Sequence, residues 1–176
     1  MMTFKTPVNL CTLLISTCLI ILPAVIFGSE PGRAPLFKIE RSTNANIIQY
    51  DAQIGPDGHL LKKEPVVAYW VRLADKGQVQ QLSWIQKTFA YGFDASLDRD
   101  RNTVKLDMKA EIGRQIAVKK EGSEYRATAD IDGSASYVEK IFIHATGKGM
   151  STSVDYIELH GHDVETGEER YERFVP

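Results

Sequence analysis

From Leu36 onward, apolar and polar residues alternate in short runs separated by Gly, Asp and Asn. A period of two places one set of side chains on each face of a strand, so these runs predict β structure. Strands are expected over residues 36–41, 46–54, 66–73, 103–109, 115–119, 124–131, 137–146, 154–163 and 170–175. The run 103–109 is the cleanest: Val104, Leu106 and Met108 take one side, Lys105, Asp107 and Lys109 the other. The run 66–73 is the most apolar, with Val66, Ala68, Trp70 and Arg72 on one face and Val67, Tyr69, Val71 and Leu73 on the other. Cover on both sides is implied there. The link Gly147-Lys148-Gly149-Met150-Ser151 predicts a hairpin. Pairing Thr146 with Thr152 sets Lys140 opposite Glu158 and Phe142 opposite Tyr156, and aligns Ile141 and Ile143 with Ile157 and Leu159 on the other face.

One segment departs from this rhythm. Ser83-Trp84-Ile85-Gln86 fits a capping box, in which the serine hydroxyl and the glutamine side chain bond each other's backbone N–H. Gly92 sits where a helix would end in a left-handed turn. A helix of about two turns is therefore expected over residues 84–91. So short a helix is unstable alone, and it is expected to pack on the sheet as a plug or flap. The fold class that follows is mainly β: an antiparallel barrel or two-layer sandwich of about eight to nine strands with one short helix.

The N-terminal pattern is of another kind. Lys5 is followed by an uncharged apolar run from Leu10 to Phe27, and polarity returns at Gly28-Ser29-Glu30. That order reads as a secretory signal peptide, or as an uncleaved anchor at the lower length limit for crossing a bilayer. Residues 1–28 are assigned to that segment, 29–35 to a tether and 36–176 to a single β-rich domain. Export to the periplasm or the outer face of the cytoplasmic membrane is expected, with membrane contact only through the N-terminal segment. Both cysteines, Cys11 and Cys18, lie in the segment. The domain therefore has no disulfide, no cysteine-ligated zinc and no thiol nucleophile.

The composition permits a packed core, with 43% hydrophobic residues. A net charge of −2 argues against nucleic acid, whose binding needs a basic surface to displace counterions. The motifs imply no cofactor. His160-Gly161-His162 places two histidines on one side of a strand, as metal ligands sometimes lie, but the polar face around them points to an ordinary solvent-facing strand end. The Asp98–Asn102 run imitates the start of a calcium loop, yet Thr103 and Lys109 stand where that loop needs Gly and Glu. There is no Gly-x-Ser-x-Gly elbow and no phosphate-cradling loop.

A third constellation is polar and aromatic: Arg41, Asn44 and Asn46 at the first turn, Trp70 and Arg72 on the most apolar strand, and Trp84, Gln86 and Tyr91 around the helix. Guanidinium groups beside apolar surface need acceptors or aromatic faces, and these residues can supply both. They are expected to lie together, either as a structural knot or as a ligand or partner site. The same stretches, Phe37-Lys38-Ile39-Glu40-Arg41-Ser42-x-Asn44-x-Asn46-Ile47, Pro65-Val66-x-x-Tyr69-Trp70-Val71-Arg72 and Ile85-Gln86-x-x-Phe89-Ala90-Tyr91-Gly92, resemble the bacterial family called domain of unknown function 4833. The resemblance implies an exported N-terminus and one compact domain, and it transfers no catalytic residue. Two functions stay open: a non-enzymatic envelope domain binding a small apolar or amphipathic ligand or an envelope protein, and a hydrolase-type enzyme with a dispersed site.

Overall fold

The computed structural model describes residues 32–110, 112–147 and 153–176. The apolar segment 1–28, the first part of the tether and most of the 147–151 turn lie outside them. The described chain is mainly β, with one short helix and a curled, half-barrel sheet. Among the described residues, no helix is long and apolar enough to cross a membrane.

The nine anticipated strands are present. They are β1 (Gly32–Arg41), β2 (Asn44–Ile54), β3 (Val66–Arg72), β6 (Thr103–Met108), β7 (Ile116–Glu121), β8 (Glu124–Ile131), β9 (Ser134–Thr146), β10 (Ser153–Asp163) and β11 (Glu169–Phe174). Two more, β4 (Gln78–Gln81) and β5 (Phe93–Leu97), raise the number to eleven among the described residues. β4 is exposed along its length, so its sequence has no buried face to betray it. It exists through pairing with β3. β1 starts before Leu36 because residues 32–35 pair with 51–54 of β2, which shortens the tether. Pro35 has no N–H to donate, and the register shifts directly after it.

The sheet runs β4-β3-β2-β1-β9-β8-β7-β6-β5, with β10 and then β11 added at the other side of β9. β8 pairs with the start of β9 and β1 with its later part, while β10 runs alongside nearly all of it. The sheet therefore forks at β9 into two arms, β1–β4 and β5–β8. The β1–β9 contact is parallel, against the all-antiparallel expectation. Parallel neighbours need a long connection, and here most of both arms intervenes. The arms contribute to one core, in which Ile39, Ile48, Tyr50, Leu106, Val118, Ile141 and Leu159 are fully buried. The arms also meet through loops: the Leu60 N–H donates to the Arg101 carbonyl at 3.1 Å and Lys120 Nζ to the Gly58 carbonyl at 2.8 Å.

The β9–β10 hairpin keeps the expected faces but not the expected register. Glu158 lies opposite Phe142 and His160 opposite Lys140, two residues from the predicted pairing. A two-residue slip preserves which side chains face inward, so Ile141 and Ile143 still meet Leu159 and Ile157. The ends of the hairpin are one residue from the predicted pairing and its middle two, the change falling at irregularities after Val154 and His160. At the second, a Cβ on Gly161 would lie 1.9 Å from the Tyr137 carbonyl oxygen, so only glycine fits.

β11 is latched within its length by Glu172. Arg114 donates to both carboxylate oxygens of Glu172, at 2.6 and 2.8 Å, and the Asp132 N–H adds a bond at 2.7 Å. The bonds from Arg114 hold the Glu172 carboxyl below its ordinary range, against the opposing effect of burial. A carboxylate with a depressed folded pKa contributes its stability above the unfolded value and loses it as pH falls through the folded one. Glu172→Gln should therefore lower Tm at neutral pH and flatten its decline below about pH 4.5, as followed by thermal denaturation between pH 7 and pH 2.5. An unaltered acid limb would remove Glu172 from that account.

Candidate functional site

Four of the eight polar and aromatic candidates come together beneath the helix α1 (Trp84–Phe89). β2 pairs on both sides, setting Ile39 of β1 and Trp70 of β3 opposite the same residue, Ile48. Arg41 leaves the end of β1 and lies over two rings, 4.8 Å from the Trp70 centroid and 5.1 Å from that of Tyr91. It also donates to the Tyr91 hydroxyl. Trp70 and Tyr91 meet edge to face at 5.5 Å. The Trp70 indole N–H donates to Gln86 Oε1 at 3.1 Å, and the same oxygen accepts the Ser83 N–H at 2.8 Å. One glutamine side chain thus closes the expected capping box and pins the helix to the sheet. Below it, the buried Tyr50 hydroxyl donates to the Tyr91 carbonyl at 2.6 Å.

The electrostatics suit a fixed platform. Burial raises the Tyr91 hydroxyl, with Arg41 pulling in the other direction. Burial pushes Tyr50 well up, and Tyr91 adds to it. Both phenols therefore remain protonated at neutral pH. Arg41 has no carboxylate partner among the described residues, and its Nε is buried without an acceptor. Aromatic faces take the place of a counter-ion, a contribution of about 0.5–2 kcal/mol per contact.

The other four candidates stand apart from this knot. Asn44 accepts the Asn46 N–H at 3.0 Å, a local use in the exposed β1–β2 turn. Asn44 stands opposite Arg41 in the β1–β2 register, but neither asparagine side chain bonds the knot. That turn is tied down instead by Ser42, whose hydroxyl exchanges two bonds with the Ala145 backbone at 3.0 Å. Arg72 lies past the cover of the strand, paired with Asp75 at 2.7 Å in the short 3-10 turn Leu73–Asp75. Trp84 is 73% exposed.

The helix differs most from expectation. It ends at Phe89, and no residue within it is buried. Its apolar side faces solvent, with Ile85 65% and Phe89 70% exposed and Trp84 edge-to-face against Phe89 at 6.1 Å. It is held by its flanks, Leu82 and Tyr91, which are buried, and by Gln86 from below. Gly92 takes no left-handed turn. It is glycine because a Cβ there would lie 1.8 Å from the Lys87 carbonyl oxygen. Leu73 and Val79 on the neighbouring turn and strand are also more than half exposed.

The histidines do not converge. His160 bonds Glu158 at 3.2 Å and His162 bonds Glu139 at 3.0 Å, so each has its own carboxylate. His144 pairs with Asp155 at 2.9 Å and stacks on Tyr156. Among the described residues, no three His, Cys, Asp or Glu side chains gather around one point. Sequence reasoning passed over two buried carboxylates: Asp163, which accepts from Arg170 at 3.1 Å, and Asp51, which accepts from Tyr69 at 2.5 Å and Gln49 at 3.1 Å. Burial first, then the bond to Asp51, raises Tyr69 to about 12. That keeps the phenol a proton donor to the carboxylate, a structural arrangement. Asp51 sits in an apolar and polar alternation like any other, so only its neighbours reveal it.

The platform and the surface arginine should behave differently. Arg41→Ala removes two aromatic contacts and a hydrogen bond, and should cost about 1–3 kcal/mol. Arg72→Ala removes an exposed ion pair and should stay within about 0.5 kcal/mol. Urea denaturation of both variants checks this, and equal losses would contradict the difference between the two arginines.

No curated protein matches the chain, and no solved structure does. A protein family does: residues 37–173, from the first core strand to the last, match Domain of unknown function (DUF4833). That span takes in the Arg41–Trp70–Gln86–Tyr91 platform, the exposed helix above it and the β9 fork. The chain belongs to the DUF4833 family.

Proposed function

We propose that this chain is an exported, non-enzymatic binding domain whose contact surface is the α1 end of the sheet. One observation carries the reading. Trp84, Ile85 and Phe89 project from a helix whose underside is locked by Gln86 and Tyr91. Large apolar side chains on a rigid base lose little conformational freedom when they are covered, and such residues dominate binding energetics. A helix that merely capped the core would turn these side chains inward. Contiguous exposed apolar surface on a soluble domain marks a place where something else binds.

Export is the second part of the proposal, supported by the order of charge, apolar run and small exit residues before Ser29. Protein recovered from fractionated cells should lie outside the cytoplasmic membrane, with its mature N-terminus near Ser29 if the segment is cleaved. Full-length protein in the soluble cytosol would refute this part.

Binding is tested by native mass spectrometry of the protein purified from its own cells. A co-purifying small molecule or protein should be present with the wild type and lost with the double variant Trp84→Ala/Phe89→Ala. Because both side chains are exposed, Tm should move by only a degree or two. An equal co-purifying mass in both proteins, or none in either, would overturn the assignment of this surface.

A further inference from the structure

Beside the helix, the curled sheet fails to close. β4 pairs with Tyr69–Arg72 of β3 and leaves the earlier residues of that strand without it. β5, at the end of the other arm, pairs with β6 alone among the described residues. Between these two edges lies a half-open cavity of about 270 Å³. Its apolar wall is Val66 and Ala68 from β3, Leu82 from the approach to α1, and Phe93 from β5. Lys63, Glu64 and Lys87, all exposed, form its charged rim.

We propose that this cavity binds a single-chain anionic amphiphile, with the tail against Val66, Leu82 and Phe93 and a monoanionic head group between Lys63 and Lys87. The proposal goes beyond the reading of the exposed α1 face: of the helix, only Lys87 lines this site. Neither lysine has an ion-pair partner among the described residues. Two lysines against one glutamate leave one net positive charge at the rim, which suits one negative charge better than two. Lysine stems can lie on apolar surface while the ammonium groups stay at the mouth. The volume is just below the usual range for ligand pockets, about 300–1,000 Å³, which suits one short alkyl chain better than a two-chain lipid. Small side chains, Ala68 on one edge and Ala95 on the other, line the cavity.

Calorimetric titration of the delipidated protein with hexanoate, octanoate and decanoate tests this, with octanol as the neutral probe. Each methylene that enters the cavity should tighten binding about fourfold, until the chain outgrows the space and the gain stops. Octanol should bind roughly tenfold more weakly than octanoate, and Lys63→Ala/Lys87→Ala should erase that difference. Ala95→Leu, at an exposed position, should block both ligands with Tm nearly unaltered. Trp84→Ala/Phe89→Ala, outside the cavity, should leave octanoate binding intact. Equal affinity for octanol and octanoate, indifference to Ala95→Leu, or no binding by any of the acids at about 10 mM would overturn the proposal. If octanoate fails while a co-purifying species still depends on Trp84 and Phe89, the cavity assignment falls and the surface assignment stands.

Discussion

Strand β9 has to serve three neighbours, and the rest of the molecule is arranged around that requirement. Thirteen extended residues span roughly 43 Å, long enough for β8 and then β1 to share one edge while β10 covers the other. A shorter strand would force a choice between the two arms. Because both start from the same edge, they diverge and curl over one core, to which β9 contributes Val138, Ile141 and Ile143. The price of forking is that the sheet does not close. β4 and β5 remain as edges, and a cavity lies between the arms beside the helix.

The open end is managed by a small set of polar contacts rather than by burial of the helix. α1 is too short to be stable through its own hydrogen bonds. Its apolar face is not spent on the core either. Instead, Gln86 accepts from both Ser83 and Trp70, and Arg41 fixes Tyr91 just past the helix end. Buried polar atoms of this sort must be satisfied together, and the ring faces of Trp70 and Tyr91 supply what carboxylates do not. Three large side chains are thereby left free to face outward. The platform thus joins Arg41, Trp70, Gln86 and Tyr91 beneath the helix, while Trp84 of the same cluster stands exposed above them.

Much of the architecture was legible in the chain because half-buried strands alternate. Leu106 and Val104 face the core as their period demands, and the capping box at Ser83 and Gln86 is present as its residues imply. β4 and β5 were not legible, since β4 buries nothing and β5 buries no residue fully. Both are held by a neighbour's backbone. The candidate site divides along the same line. Arg41, Trp70, Gln86 and Tyr91 converge, whereas the side chains of Asn44, Asn46, Arg72 and Trp84 do not join them, although Asn44 stands opposite Arg41 in the strand register.

By itself, the sequence determined which faces are apolar, where turns fall, how the helix starts and that the domain lacks cysteine chemistry, because each of these is set by a residue and its near neighbours. It also determined the inward face of the β9–β10 hairpin, since a two-residue slip leaves that face unchanged. Only the tertiary structure decided the pairing within that face, the parallel β1–β9 contact, the fork, and the outward turn of Trp84, Ile85 and Phe89. Those depend on residues that lie far apart in the chain, such as Ser42 with Ala145 and Arg41 with Tyr91. No local pattern encodes such pairs, because alternation specifies that a side chain is covered without specifying by what.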